Sequence, residues 1–380
     1  MRVLFSTSPA IGHFYPLLPL ARELQRAGHE VAVLTSGALA AHVREAGLDI
    51  LPAGPPVEEL LGAALERYPG SDDPATALNG LTAFAEIRLE RSMPEALIAA
   101  RQWRPDMIIS EHADFLGPLV ATMLDVPHVT QSFGPGQTPQ WLRKFNTSVA
   151  PSYVRHGLTP PAHAGLYQDA YIDTCPPALQ LPDFSQPAPV LAMRPEPHHA
   201  PDGDWVRPTF AKPDRRLVLL TMGTVFGRPD VFDTALAGLE ELDANVLVAL
   251  GPAVDPAGTA FDPSWIQAHR FLPLDRVLPE CDLMVAHGGA GTMLASLACG
   301  VPMVLVPQGA DQFTNAERAT AAGAAVTIMP DSFCAEAVAE AAAEVTGDAG
   351  FTTAAQTIRD QIDAMPDPAS VAKALLSLRA

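Results

Sequence analysis

The chain has 380 residues and lacks the long apolar stretches of a membrane protein. No apolar run reaches the ~18 residues that a membrane-spanning helix needs. The opening stretch Met1–Phe5 has neither a preceding basic segment nor a small-residue cleavage site, so we predict a buried strand there and not a signal peptide. We therefore expect a cytoplasmic protein with no integral membrane segment.

Cysteine is also scarce. The chain has four cysteines, none in a CxxC pair or at a zinc-binding spacing, which indicates reduced thiols. His198 and His199 have no nearby ligand partners, and the acidic "DGD" at 202–204 lies in a Pro-rich stretch where a solvated turn is expected. We predict no metal site and no bound cofactor.

Basic residues are in the minority, with 24 Lys and Arg against 43 Asp and Glu and a formal net charge of −19. Nucleic acids and anionic membranes are bound by basic surfaces. The charge balance therefore argues against both as general partners.

Strands and helices alternate in two separate series. The first begins with the strand "RVLFST" and continues through helical runs that end at Gly28 and Gly47. The second begins at Leu217, after a Pro-rich stretch at 195–216. Such βαβ repeats form parallel sheets with right-handed crossovers. We predict an α/β protein of two Rossmann-like, doubly wound domains facing across a cleft, an N-terminal domain 1–205 and a C-terminal domain 206–366.

Two stretches of the first domain interrupt this alternation. A longer helical insertion extends to about Trp103, and between Gly134 and about Pro189 the sequence pattern does not allow regular elements to be assigned. A loop of that length in a compact protein is usually functional or mobile.

Three glycines stand between a predicted strand and a predicted helix in "AHGGAGT", Ala286–Thr292. The first N–H groups of a helix have no partner inside it, and that end carries partial positive charge. Because Gly288, Gly289 and Gly291 have no side chains, phosphate oxygens can approach these N–H groups. The spacing is neither a Walker loop nor GxGxxG. The segment predicts a phosphate socket; the alternative is a glycine turn that only packs the helix on the sheet.

The surrounding residues resemble a known family. "FLPLDRVLPECD" precedes the glycines, "GVPMVLVPQGADQFTNAERATAAGAA" follows them, and "SPAIGHFYPLLPLARELQRAGHEV" lies near the N-terminus. Together they closely resemble family-1 glycosyltransferases of the GT-B fold, of the actinobacterial antibiotic and macrolide type. The resemblance is weak between about 54 and 100 and between 135 and 215. It implies that the last helix, about 367–380, packs back on the N-terminal domain.

The resemblance also implies roles in binding a nucleotide sugar. Phe271 would stack on the base, and backbone groups near Leu272 would contact its edge. The residues of the glycine segment would hold the diphosphate, Thr224 would meet the phosphates or the reacting region, and two further residues would bond sugar hydroxyls. These residues are His287, Gly289, Ala290, Gly291 and Thr292 for the diphosphate, and Asp311 and Gln312 for the sugar.

Two departures from the plant-type motif bear on the donor. Leu274 follows Pro273 where the plant-type motif has glutamine, as in bacterial dTDP-sugar enzymes. Ala295 stands where plant enzymes have the glutamate that binds the ribose. The second change slightly favours a deoxynucleoside. The resemblance implies a dTDP- or UDP-linked sugar as donor.

An inverting transfer needs a base for the acceptor hydroxyl, and histidine suits that role near neutral pH. His13, in "GHFYP" after the first strand, takes the position of the family's catalytic base. The family orients this histidine with an acidic residue after the fourth strand. Glu111 aligns best with that residue, and Asp114 is the alternative.

Acceptor specificity would come from loops of the first domain, chiefly 54–90 and 134–190. Their aromatic residues either line an acceptor pocket or form the cores of those loops. We select Phe84, Phe133 and Trp141 as acceptor-binding residues.

The leading hypothesis is a metal-independent inverting glycosyltransferase that acts on a small natural-product aglycone, as a monomer or homodimer. One rival is a nucleotide-sugar epimerase on the same fold, and the other is a non-catalytic helper of a transferase. His13 and the aromatic residues of the loops speak against the epimerase, and the presence of both His13 and the glycine turn speaks against the helper.

Overall fold

The computed structural model describes residues 1–70, 78–184, 188–197, 205–206, 208–223, 228–251 and 261–377. The chain divides into two compact units. The first comprises Met1–Cys175, Leu181–Arg194 and Met365–Ala380, and the second comprises Pro176–Gln180 and Pro195–Ala364. Each unit contains one parallel sheet with helices packed against it.

The first unit contains a seven-stranded sheet in the order β3-β2-β1-β4-β5-β6-β7. Its strands are β1 (Arg2–Ser6), β2 (Glu30–Thr35), β3 (Asp49–Pro52), β4 (Met107–Glu111), β5 (His128–Gln131), β6 (Ala170–Asp173) and β7 (Val190–Ala192). Its helices up to β7 are α1 (Ile11–Phe14), α2 (Leu18–Arg26), α3 (Ala40–Glu45), α4 (Val57–Arg67), α5 (Leu78–Thr82), α6 (Arg88–Trp103), α7 (Leu116–Leu124) and α8 (Pro139–Arg155).

Both faces of this sheet are buried, which explains the continuous apolar runs of its strands. Val3 and Phe5 belong to one buried cluster, and Leu4 between them belongs to the cluster on the other side. Side chains alternate between the faces of a strand, so one short run supplies both cores.

The second unit contains a six-stranded sheet in the order β10-β9-β8-β11-β12-β13. Its strands are β8 (Arg216–Thr221), β9 (Ala244–Ala249), β10 (Ile266–His269), β11 (Leu283–Ala286), β12 (Met303–Leu305) and β13 (Ala325–Thr327). Its helices are α9 (Pro229–Leu239), α10 (Leu274–Val277), α11 (Ala290–Ala298), α12 (Gln312–Ala321), α13 (Ala335–Gly347) and α14 (Ala349–Ala364).

The chain passes between the units more often than a single linker would require. Pro176–Gln180 belongs to the second unit, where the Ala178 N–H donates to Gln361 Oε1 at 2.9 Å and Arg318 Nε donates to the Leu179 carbonyl at 3.2 Å. The main division falls after Arg194, on the N-terminal side of the boundary expected at 205.

The last helix, α15 (Pro368–Ser377), lies in the first unit and packs against α2 and β7. Its Val371 and Leu375 are buried in the cluster that also contains Val3 and Phe5. The last three residues of the chain lie outside the described part.

The stretch from 134 to about 189, in which the sequence did not allow regular elements to be assigned, contains helix α8, of 17 residues, and strand β6. The Thr138 hydroxyl accepts the N–H of Trp141 and caps α8, with Pro139 in its first turn. Pro151 inside the helix obscured the periodicity.

None of the described helices is long and apolar enough to cross a membrane.

Candidate active site

Strand register brings His13 and Glu111 to the same edge of the first sheet. Ser6, the last residue of β1, pairs with Ser110 of the parallel strand β4, and Glu111 is the last residue of β4. His13 follows β1 in the short helix α1. Carboxyl ends of parallel strands meet at one sheet edge, which is where open α/β folds bind ligands.

Glu111 is fully buried and accepts three hydrogen bonds. Its Oε1 lies 3.0 Å from His13 Nδ1 and accepts the Ser8 N–H at 3.1 Å, while Oε2 accepts the Ala113 N–H at 2.5 Å. The side chain of His13 is 21% exposed, so the imidazole lies between a buried carboxylate and the surface. This arrangement fixes the orientation of the ring.

The charge state of this cluster follows from burial and close partners. Burial raises the pKa of Glu111, but the charge and hydrogen bond of His13, with smaller contributions from His112 and the Ala113 N–H, outweigh it and hold that pKa below its ordinary value. Burial lowers the pKa of His112 to about 4, against the attraction of Glu111. At neutral pH, Glu111 is a carboxylate and His112 is uncharged.

Two of the three predicted acceptor aromatics lie beside His13. The ring of Phe133 is 5.0 Å from the His13 ring, and that of Phe84 is 5.5 Å away. Phe84 lies in a π-helical turn, Ala83–Ile87, and such turns occur frequently at functional sites. Trp141 has other neighbours: it stacks on Phe145, with Lys144 Nζ 4.2 Å from its ring centroid.

Asp114, the alternative partner of His13, is bound to Arg88 instead. Arg88 Nε and Nη2 lie 3.0 and 2.9 Å from Asp114 Oδ1, and Nη2 also donates to the Thr7 carbonyl at 2.7 Å. Asp114 Oδ2 accepts the Gly117 N–H at the start of α7. Both side chains of this ion pair are buried, and together they connect α6, the residue after β1 and the start of α7.

The glycine segment of the second unit forms the turn between β11 and α11. Thr221 of β8 pairs with Ala286 of β11, so Gly223 and His287 follow neighbouring strand ends. A Cβ added at Gly223 would lie 2.6 Å from the His287 ring, and one added at Gly289 would overlap the same ring. His287 is therefore held between two glycines that have no space for a side chain.

Helix α11 begins at Ala290 with Gly289 as its N-cap. A Cβ added at Gly291 would meet nothing within 4 Å, and Thr292 is half-buried. Burial lowers the pKa of His287 to about 4, although a backbone hydrogen bond at Thr221 opposes the shift, so the imidazole is neutral at pH 7. The open helix end therefore offers N–H donors next to an uncharged imidazole.

The other predicted donor residues have distinct surroundings. Phe271 is 58% exposed, as a stacking platform requires, and Leu272 beside it is half-buried. Gln312 is buried, and its Oε1 accepts the Gln308 N–H at 2.7 Å. Asp311 accepts a hydrogen bond from Asn315. Thr224 lies outside the described residues, as do His198, His199 and the "DGD" stretch.

Arg88 and Asn315 contact the predicted site residues but were not predicted from the sequence. Arg88 stands in a helical stretch where a charged residue is ordinarily taken as solvent-exposed. Asn315 lies three residues after Gln312, in the segment that resembles the family, so helical spacing and that segment were the available signals. Among the described residues, no group of three or more His, Cys, Asp or Glu could hold a metal ion.

Comparisons with known proteins identify the family of this chain. Residues 22–223 match the N-terminal domain, and residues 233–378 the C-terminal domain, of the family described as erythromycin biosynthesis protein CIII-like. The L-demethylnoviosyl transferase of Streptomyces niveus is 34% identical over 99% of this chain and 97% of its own length. The elloramycin glycosyltransferase ElmGT of Streptomyces olivaceus is 31% identical, with the same coverage of 99% and 97%.

Solved structures with similar folds include two natural-product glycosyltransferases. SsfS6 of Streptomyces sp. SF2575, complexed with thymidine diphosphate, is 28% identical with a TM-score of 0.80, and the match covers 99% of both chains. The spinosyn rhamnosyltransferase SpnG, complexed with spinosyn aglycone, is 27% identical with a TM-score of 0.80 over 99% of this chain and 100% of SpnG.

The chain belongs to the EryCIII-like family of GT-B natural-product glycosyltransferases. It is a glycosyltransferase, and its named relatives do not favour the epimerase or helper hypotheses.

Proposed function

We propose that this enzyme transfers a sugar, with inversion at the anomeric carbon, from a dTDP- or UDP-linked donor to a hydroxyl of a small natural product. The observation that carries the proposal is the 3.0 Å contact between His13 Nδ1 and Glu111 Oε1. A histidine held in this way by a buried carboxylate, at the carboxyl edge of a parallel sheet, has the geometry of a general base.

In the proposed reaction, His13 removes the proton of the acceptor hydroxyl. Because Nδ1 donates its hydrogen to Glu111, Nε2 carries the lone pair. Nε2 takes the hydroxyl proton while the acceptor oxygen forms a bond to the anomeric carbon. The bond from that carbon to the diphosphate breaks, and the nucleoside diphosphate leaves with the electron pair. Glu111 stabilises the imidazolium that forms.

The glycine turn stabilises the leaving diphosphate. Negative charge grows on the phosphate oxygens as the sugar–phosphate bond breaks. The N–H groups at the start of α11 and the imidazole of His287 are fixed before the reaction, so they stabilise this charge without reorganising. These groups do what a divalent cation does in metal-dependent transferases, and we propose that no metal is required.

The relatives support the choice of substrates. SsfS6 was solved with thymidine diphosphate and SpnG with a spinosyn aglycone. The exposed ring of Phe271 offers a surface for a nucleobase, and Phe84 and Phe133 beside His13 offer an apolar wall for an acceptor. We propose that Asp311 bonds a sugar hydroxyl.

The test is direct assay of the purified enzyme. We would incubate dTDP-glucose or UDP-glucose with a panel of phenols and alcohols, with and without EDTA, and detect glycosides by mass spectrometry. The anomeric configuration of the product would be read by NMR. We expect inversion and full turnover in EDTA. A product that retains the configuration of the donor would contradict the mechanism, and an epimerised donor formed without acceptor would favour the rival activity.

A further inference from the structure

Asn315 forms hydrogen bonds to two parts of the proposed donor site, the glycine turn and Asp311, which lie apart in the sequence. It lies in the first half of α12 and is 1% exposed. Its Nδ2 donates to the Gly288 carbonyl at 2.9 Å and to Asp311 Oδ2 at 2.8 Å. A side-chain amide has two N–H hydrogens, so these bonds use both of them. One residue thus connects the glycine turn to the carboxylate before α12.

The bond to Gly288 determines where the next N–H points. A trans peptide is planar, and its C=O and N–H point in opposite directions. Because the Gly288 carbonyl is held toward Asn315, the N–H of Gly289 is directed away from it. Gly289 is the N-cap of α11, so this N–H has no partner inside the helix. Asn315 therefore sets the direction of one of the donors available to a diphosphate.

The conformation of Gly288 makes an external hydrogen bond useful for holding this orientation. Gly288 has φ +83, a conformation that glycine adopts without steric penalty but from which it can also move readily. A Cβ added at Gly288 would lie 3.4 Å from the Gln312 carbonyl, so the turn packs directly on the first turn of α12. A hydrogen bond from that helix is thus suited to hold the peptide in one orientation.

The bond to Asp311 fixes a carboxylate. With Oδ2 bound to Asn315, rotation of the carboxylate about its last torsion is restricted, and the Asp311 side chain is held at the half-buried start of α12. A fixed carboxylate binds a sugar hydroxyl at lower entropic cost than a freely rotating one.

We propose that Asn315 is a positioning residue that aligns the diphosphate-binding N–H of Gly289 with the sugar-binding carboxylate of Asp311. Asn315 contacts neither ligand group itself. The inference rests on the proposed function, and it assigns this buried amide a role in donor recognition.

The test uses dTDP and dTDP-glucose as probes in titration calorimetry. In Asn315→Ala we expect dTDP affinity to fall about tenfold, the effect of one misplaced hydrogen bond, and dTDP-glucose affinity to fall further. In Asp311→Ala, dTDP-glucose affinity should fall while dTDP affinity stays near wild type. In the double variant, the ratio of the affinities for dTDP-glucose and dTDP should equal that of Asp311→Ala alone, because both changes disable the same sugar contact.

The matched control is Asn245→Ala. Asn245 is also 1% exposed in the same unit, and its Nδ2 donates to the Lys212 carbonyl at 2.8 Å. It pairs with Leu217 at the amino end of the sheet, opposite the glycine turn. We expect Asn245→Ala to lower the unfolding temperature without changing the affinity for either probe.

The outcomes separate this inference from the proposed function. Wild-type enzyme that binds neither dTDP nor dTDP-glucose, and neither UDP nor UDP-glucose in the same assay, would overturn both. Wild-type binding with unchanged affinities in Asn315→Ala, or equal losses for both probes, would overturn the inference alone. If Asn315→Ala does not fold, Asn315→Asp decides: it keeps the side-chain size, loses donor hydrogens and places a second carboxylate against Asp311, so a retained preference for dTDP-glucose over dTDP would overturn the inference.

Discussion

Glu111 Oε1 lies 3.0 Å from His13 Nδ1 and 3.1 Å from the backbone nitrogen of Ser8. The carboxylate is fully buried, whereas the imidazole that it holds is partly exposed. In the proposed mechanism this asymmetry corresponds to different roles: Glu111 orients and stabilises the imidazole, and His13 contacts the acceptor. The variants of the two residues should therefore differ.

Replacing His13 with alanine should abolish most of the turnover. Loss of a positioned base lowers rates by roughly 10²–10⁴-fold. Binding of dTDP should be nearly unchanged, because His13 and the glycine turn belong to different units. Steady-state kinetics with an alcohol and a phenol, and calorimetry with dTDP, would check this. Turnover of the phenol should fall less than turnover of the alcohol, since a phenolate needs little help from a base. Full turnover of the alcohol by His13→Ala would contradict the assigned role.

Glu111→Gln and Asp114→Asn form a matched pair of isosteric changes in two fully buried carboxylates. Glu111→Gln should reduce kcat, by less than His13→Ala, because it removes the charge that stabilises the imidazolium. Asp114→Asn should mainly reduce the free energy of unfolding, because it leaves the buried charge of Arg88 without its partner, a change that can remove about 3–5 kcal/mol.

Kinetics and chemical denaturation on both variants would separate these effects. The kcat per folded molecule of Asp114→Asn should stay near wild type. If Asp114→Asn instead lost kcat as strongly as Glu111→Gln at unchanged stability, Asp114 would have a direct part in the chemistry.

The resemblance to family-1 glycosyltransferases predicted that Glu111 partners His13, and the structure places the two side chains 3.0 Å apart. His13 follows β1 and Glu111 ends β4, and because these strands are neighbours in a parallel sheet, their carboxyl ends meet at one edge. The turn between β11 and α11 was predicted from the residue pattern, because three glycines stand between an apolar run and a helix-compatible run.

The rest of the site depends on tertiary contacts that no short pattern records. Arg88 is a charged residue inside a helix, and its burial follows only from Asp114 and the Thr7 carbonyl, which come from distant parts of the chain. The short segment Pro176–Gln180 belongs to the second unit and is hydrogen-bonded to Arg318 and Gln361, each more than a hundred residues away in the chain. Local periodicity carries no information about either contact.

Gly291→Ala tests the glycine turn without disturbing the fold. Gly291 and Gly347 are both exposed helical glycines, and a Cβ at either position meets nothing within 4 Å. Both lie in terminal turns of their helices, so alanine should maintain stability or raise it by less than the roughly 1 kcal/mol expected in a helix interior. Only Gly291→Ala should weaken dTDP binding, because its methyl group occupies space beside the open end of α11.

Thermal unfolding and calorimetry with dTDP and thymidine would check this pair. The loss in Gly291→Ala should be much larger for dTDP than for thymidine, since thymidine has no phosphate. Equal losses for the two ligands would mean that the glycines do not hold the diphosphate.

Buried histidines should make the first unit sensitive to acid. His128 in β5 is fully buried, and its Nε2 lies 2.7 Å from Ser110 Oγ. Burial lowers the pKa of His128 from 6.5 to about 3. Between these values the unfolded chain binds a proton that the folded protein does not, so stability is complete above about pH 6.5 and falls as the pH drops toward 3. At pH 5 the loss of stability from His128 alone is about 2 kcal/mol.

His128→Gln keeps a polar group near Ser110 but cannot titrate, so its unfolding temperature should fall less than that of wild type between pH 7.5 and pH 5. Scanning calorimetry at both pH values measures this difference, and comparing the two proteins cancels the other groups that titrate in this range. An identical drop in wild type and variant would show that His128 takes up its proton without unfolding, and therefore that the site is less closed to water than its burial indicates.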